Sequence, residues 1–115
     1  MGHNMTKATY DRYYRHYIVI SFKSSSVHFS IYDDRCFLSC FGSGEREQGH
    51  GTEVLNACRR LARRLSKPLH LTANPYRFNG EEPYSLERLI AYYEKRGFKK
   101  TGRGDKYDQQ MEYVP

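Results

Sequence analysis

Residues 41–65 read Phe-Gly-Ser-Gly-Glu-Arg-Glu-Gln-Gly-His-Gly-Thr-Glu-Val-Leu-Asn-Ala-Cys-Arg-Arg-Leu-Ala-Arg-Arg-Leu, and the rest of the chain is organised around this stretch. An apolar run from Cys36 to Phe41 stops at a glycine-rich loop, and the loop opens directly into a helical pattern. Val54, Leu55, Cys58, Leu61, Ala62 and Leu65 recur at the three- and four-residue spacing that gathers them on one face, which predicts a helix over 51–66. The first turn of such a helix leaves backbone N–H groups without internal partners, and the aligned peptide dipoles add partial positive charge there. Gly49 and Gly51 carry no Cβ, so phosphate oxygens have a close approach to the main chain, and Thr52 adds a hydroxyl. These residues form an anion cradle. A glycine-rich helix start with no ligand accounts for the same residues equally well.

The spacing excludes two common cradles. Gly44 and Gly49 are separated as in a P-loop, but His50 and Gly51 stand where Lys and Ser/Thr would hold the phosphates and Mg²⁺, so nucleotide hydrolysis is not expected. Gly49-His50-Gly51 is followed by Thr52-Glu53-Val54 without a third glycine, so the dinucleotide fingerprint fails as well. Arg46-Glu47-Gln48-Gly49-His50-Gly51 instead resembles the Arg/Gln-x-x-Gly-x-Gly/Ala signature of the GNAT superfamily of acyl-CoA N-acyltransferases. A second stretch, Leu-Ile-Ala-Tyr-Tyr-Glu-Lys-Arg-Gly-Phe at 89–98, is similar to the family's helix ending in Tyr-Glu-Lys-x-Gly-Phe. The residues themselves agree: Leu86, Leu89, Ile90 and Tyr93 share a helical face, Gly97 is a natural left-handed stop, and Phe98 begins an extended run. The resemblance covers roughly residues 26–114.

At 115 residues, with 38% hydrophobic and 28% charged side chains, the chain has the size and composition of one globular domain. No apolar stretch approaches membrane-spanning length, and no signal-peptide core opens the chain. Cys36, Cys40 and Cys58 are an odd number and give no disulfide framework; they read as reduced core residues of a cytoplasmic protein. There is no Cys-x-x-Cys and no second ligand pair, so no metal site is expected.

Residues 1–9 read as a disordered lead, with Met1–Asn4 as an expression scar before Met5, and 10–115 as the single domain. Tyr10 to Tyr17 interleaves tyrosine with arginine, which serves either as a nucleic-acid platform or, more commonly, as the amphipathic approach to a strand. Strands are predicted over 16–23, 27–32 and 35–41, broken at Ser24-Ser25-Ser26 and Asp33-Asp34; links this short require antiparallel neighbours. After the helix, 68–73 is a short strand, which the right-handed crossover rule makes parallel to the one before. Residues 74–84 form a surface loop, Ser85 caps a second helix over 86–96, and strands at about 98–101 and 109–114 flank a turn at Gly102-Arg103-Gly104-Asp105. The expected fold is therefore α/β in the α+β sense: a mixed, mostly antiparallel six-stranded sheet with two main helices, in GNAT order.

The resemblance implies a site. It assigns the coenzyme's diphosphate to the amides of Glu47, Gln48, Gly49, His50, Gly51 and Thr52, with Arg46 beside them, and the pantetheine arm to the backbone near Ser39 and Phe41. The arginines of the helix, Arg59, Arg60, Arg63 and Arg64, either assist the phosphates or form a solvated face. The family's Asn-x-x-Ala is missing, Leu86 and Leu89 standing there, and Asn74 is a substitute contact. Tyr93 occupies the position of the family's tyrosine beside the departing sulfur. A phenol near ~10 giving its proton to a thiolate near ~8.5 works uphill by about 2 kcal/mol, so hydrogen bonding to the developing thiolate is the role assigned. The acceptor amine must also lose a proton. Holding a lysine of pKa ~10.4 neutral at pH 7 costs about 4.6 kcal/mol, against about 1 kcal/mol for an α-amine near ~7.7. Asp33, Asp34 and Glu45 lie in suitable stretches for a base, and the sequence does not choose among them.

Family members carry a strand and two helices ahead of the meander, and those helices wall the acceptor cleft. Only about fifteen residues stand there, so that wall is expected to be absent or supplied by a partner, and an open cleft suits a large acceptor better than a small one. The implied activity is transfer of an acetyl group from acetyl-CoA to an amine, on a protein or another large acceptor. The net charge of +6 suits a polyanionic coenzyme. Its surplus at Lys95, Arg96, Lys99, Lys100, Arg103 and Lys106 also suits nucleic acid, a ribonucleoprotein or an acidic protein surface. The competing reading is a non-catalytic basic module with a GNAT-like sheet.

Overall fold

Two helices lie against one face of a twisted mixed sheet in the computed structural model, which describes residues 4–11, 15–43, 49–75 and 84–115. The strands are β1 (Asn4–Asp11), β2 (Arg15–Phe22), β3 (Ser25–Ile31), β4 (Cys36–Ser43), β5 (Leu69–Ala73), β6 (Lys99–Gly104) and β7 (Gln109–Tyr113). The helices are α1 (His50–Leu65), between β4 and β5, and α2 (Leu86–Glu94), between β5 and β6. The sheet order is β1-β2-β3-β4-β5-β7-β6, and every neighbouring pair is antiparallel except β4 with β5. The mixed, mostly antiparallel architecture expected from the sequence is present, with a seventh strand added.

That strand is a correction. Residues 4–9, expected as a disordered lead, lie in β1 and pair with β2 from Asn4↔Ser21 to Asp11↔Arg15. Three residues separate β1 from β2, too few for the two helices that the family order would place ahead of the meander. The first break is also shorter than expected. Lys23 and Ser24 alone make the turn, Lys23 at φ 53, while Ser25 and Ser26 belong to β3. The last hairpin turns later: Gly102-Arg103-Gly104 continues β6, and Asp105 Oδ1 accepts from the amides of Tyr107 and Asp108. Gly104 stands at φ 142, where a Cβ would come within 2.6 Å of the Asp108 carbonyl oxygen.

The α1 stripe read from the sequence packs on the sheet. Val54, Leu55, Cys58 and Ala62 are buried against Ile20, Val27, Phe29, Leu38, Leu69, Leu71 and Met111. Alternation sends His28, Ser39, His70 and Glu112 to the other face. Among the described residues, no helix is long and apolar enough to cross a membrane, and none of the His, Cys, Asp and Glu groups is arranged to hold a metal ion.

Candidate active site

A slot between β4 and β5 is the first feature of the site. Parallel pairing covers only Cys36↔Leu69 and Phe37↔His70, with the Cys36 amide donating to the Pro68 carbonyl at 2.8 Å. From Leu38 onward β4 has no register partner on β5. The neighbouring pairing supplies a cause. Ser26 pairs with Gly42 and His28 with Ser39, so Val27 alone faces both Cys40 and Phe41, and β4 bulges. A bulge bends its strand and increases the local twist. It also brings the Phe41 ring to the helix side, 3.5 Å from where a Cβ on Gly51 would sit.

The mouth of α1 stands at the open end of this slot. Gly49 takes φ 80, ψ 0 and supplies no side-chain cap, and a Cβ there would meet nothing within 4 Å. The Glu53 amide donates to the Gly49 carbonyl at 3.0 Å. The preceding amides of His50, Gly51 and Thr52 have no acceptor among the described residues. His50 is tied to the β2–β3 hairpin, its Nδ1 2.8 Å from Ser24 Oγ and its ring edge-on to Phe22. It braces the mouth.

Tyr92, and Arg96 from the basic surplus, converge here, neither of them assigned to the cradle by the sequence. The hydroxyls of Thr52 and Tyr92 share a hydrogen bond of 2.9 Å. The Arg96 guanidinium lies over the Tyr92 ring, its Cζ 3.8 Å from the centroid, donates to the Tyr92 carbonyl at 2.8 Å and reaches Thr52 Oγ1 at 3.4 Å. Its Nε is buried without a partner. A cation beside the positive end of a helix dipole is unfavourable unless an anion lies near both. The available signal was the four-residue spacing of Tyr92 and Arg96 across the helix end, which brings their side chains together.

The other candidates fall in definite places. Ser39 and Phe41 lie on β4 along the slot, both half-buried. Asn74 is exposed just past the end of β5, at the mouth end because β4 and β5 run parallel. Tyr93 is 8% exposed, edge-to-face with Tyr92 at 5.3 Å and near Phe98 at 5.7 Å. Its carbonyl accepts from the Arg96 and Phe98 amides, closing α2 at Gly97, φ 93. Arg46, Glu47, Gln48 and Glu45 lie outside the described residues. Asp33 and Asp34 are in the β3–β4 turn, beyond the closed end of the slot, with Asp34 against Arg35 at 3.4 Å.

The helix arginines divide by position. Arg59 donates to the Arg96 carbonyl at 2.9 Å and to Asn56, and Arg63 donates to the Tyr113 hydroxyl at 2.8 Å. Nine helical steps at 1.5 Å put Arg59 about 14 Å from the mouth, so these two clasp α1 to the α2–β6 turn and β7. Burial pushes the thiols of Cys36 and Cys58 up, which disfavours the thiolate at both.

No family model and none of the curated proteins matches the chain. Solved structures do match in shape. The anti-CRISPR protein AcrVA5 superposes with a TM-score of 0.68 at 21% identity, covering 82% of this chain and 96% of that one. A putative GNAT-family acetyltransferase from Bacteroides thetaiotaomicron gives 0.57 at 18% identity, covering 86% of this chain and 62% of its own. The chain has a GNAT-like fold.

Proposed function

We propose that the protein is an N-acetyltransferase that moves an acetyl group from acetyl-CoA to an amine on a protein or another large acceptor. The observation that carries this is the β4–β5 ladder, which stops after two pairs and opens toward a helix mouth whose N-cap glycine supplies no side-chain cap. Phe37 to Ser43 is six strand steps, about 20 Å, long enough for an extended arm to lie beside β4. In this reading the amides of Gly49 to Thr52 hold the diphosphate together with Arg46, Glu47 and Gln48. Arg96 completes the charge balance at the mouth. Ser39 and Phe41 flank the pantetheine arm, Asn74 borders its outer end, and a main-chain N–H in the slot polarises the thioester carbonyl. Tyr93 hydrogen-bonds the departing thiolate.

Acceptor size follows from the sheet. Three residues link β1 to β2, so no helix from that link covers the face carrying His28, Ser39 and His70. A small molecule wants enclosure, and among the described residues no helix supplies it on this face.

Acetyl-CoA is expected to raise the melting temperature, by RT ln(1 + [L]/Kd) in free energy. Tyr93→Phe should keep that shift and slow turnover about 10- to 100-fold, the worth of one hydrogen bond to a developing charge. Mass spectrometry of candidate acceptors incubated with labelled acetyl-CoA identifies the amine. The second reading, a basic binding module, draws on the exposed side chains of Lys99, Lys100 and Arg103 along β6. It predicts no acetyl-CoA shift and a salt-sensitive complex with a polyanion.

A further inference from the structure

We propose that His70 and Glu112 form the proton-accepting dyad for the acceptor amine, a proposal that rests on the acetyl-transfer reading above. His70 is the last β5 residue paired with β4 before the slot opens, its partner there being Phe37, and on its other side it pairs with Glu112 of β7. Its strand neighbours Leu69 and Leu71 are buried against the helices at 0% and 3% exposure. The imidazole therefore stands on the face opposite α1 and α2, at the closed end of the slot. Its Nε2 lies 3.4 Å from Glu112 Oε2, and the two side chains are 27% and 37% exposed. That is wet enough to exchange a proton with solvent, at the strand position where the slot begins.

The pair has the parts a base needs. A carboxylate facing Nε2 favours the tautomer with Nε2–H, which leaves the Nδ1 lone pair as acceptor. Among the described residues the charged surroundings are few. Lys99 of β6 is the register partner of Glu112, the β4 neighbour Phe37 is apolar, and Arg35 ahead of it is occupied by Asp34. His28 shares the face and pairs with Ser39, but its ring is stacked on Tyr17 at 4.7 Å. Asp34 lies past Cys36 and Phe37, where β4 and β5 are already sealed.

The step balances without a further reagent. The acceptor ammonium gives a proton to His70 Nδ1, directly or through one water, and the free amine attacks the thioester carbonyl carbon. The C–N bond forms, the C–S bond breaks, and the second proton that the nitrogen loses passes through water to the departing sulfur. The sulfur leaves as thiolate and is protonated to free CoA, while the imidazolium returns its proton to solvent.

The test combines acetyl-CoA thermal shift, thiol release with poly-lysine as the acceptor probe across a pH series, and ¹⁵N imidazole spectra of the full chain. His70→Gln is expected to keep the thermal shift, lose about 100-fold in kcat and lose the fall in rate toward acid. Glu112→Gln should lose about 10-fold, and His28→Gln should match the parent. A His70→Gln protein that binds acetyl-CoA and turns over at the parent rate, with the acid fall intact, overturns the dyad while acetyl transfer stands. No thermal shift in the parent overturns the acetyl-CoA reading and the dyad's role with it. If the parent does not turn over poly-lysine, the spectrum decides: neutral His70 protonated on Nε2 supports the dyad, and protonated on Nδ1 overturns it.

Discussion

The two helices start in opposite ways. At α2, Ser85 takes an extended conformation and its Oγ accepts from the Arg88 amide at 3.1 Å. At α1, Gly49 takes a left-handed conformation and offers nothing. The main-chain bond one turn in is the same at both, Leu89 to Ser85 and Glu53 to Gly49, each at 3.0 Å. Both helices also carry a glutamate in the first turn. What differs is whether the N-cap residue's own side chain closes the mouth. Glycine at a cap costs only a few tenths of a kcal/mol relative to serine, so stability alone exerts little pressure to close α1. Access does distinguish them. The α1 mouth faces the end of a slot in the sheet and gathers Thr52, Tyr92 and Arg96 around it.

A charge placed at the open mouth breaks this comparison most sharply. Gly51→Asp fits sterically, since its Cβ would meet Phe41 Cζ at an ordinary 3.5 Å. Without ligand the variant should be stabler by roughly 1 kcal/mol, or about 4 °C, because glycine leaves the helix and an anion joins its positive end. With acetyl-CoA the sign reverses. A carboxylate about 4 Å from a phosphate charge opposes binding by about 4 kcal/mol at an effective dielectric of about 20, so affinity should fall about 100-fold or more. Calorimetry showing unchanged affinity would put the diphosphate elsewhere.

The closed mouth gives the matching control. Ser85→Ala should cost about 1 kcal/mol and lower the melting temperature by about 4 °C. Acetyl-CoA affinity should not move, and a loss there would mean that α2 frays into the binding site.

These two mouths also show what a sequence discloses. Ser85 and the Gly97 stop are local signals, each settled by a few neighbouring residues, and both stand where they were read. The α1 stripe is likewise a property of one segment. β1 was not legible, because Asn4–Asp11 has little apolar alternation of its own and becomes a strand by pairing with β2. Nor was the bulge at Cys40 and Phe41, which is a mismatch between two strands. The glycine-flanked mouth was legible from residues 49–52, but Arg96 and Tyr92 reach it across a gap of forty residues. His70 and Glu112 read as unremarkable strand positions until the sheet order sets β5 beside β7. Segments show their own geometry, while sites assembled between segments appear only with the register.

Thr52→Val is the smallest and most discriminating change, because it removes a hydroxyl at α1 as Ser85→Ala does at α2. Valine keeps the shape of threonine and leaves the Tyr92 hydroxyl and one Arg96 N–H short of a partner. Half-burial lets water replace part of what is lost, so the cost to stability should be below about 1 kcal/mol. Arg96 keeps its hold on the Tyr92 carbonyl and ring, and the mouth should therefore loosen without collapsing. Acetyl-CoA should bind about 3- to 5-fold more weakly, equivalent to roughly 0.6–1 kcal/mol. The informative quantity is the ratio. Ser85→Ala should change stability more than affinity, and Thr52→Val the reverse. If calorimetry finds the two variants alike in both respects, the α1 mouth is an ordinary helix start that happens to lack a cap.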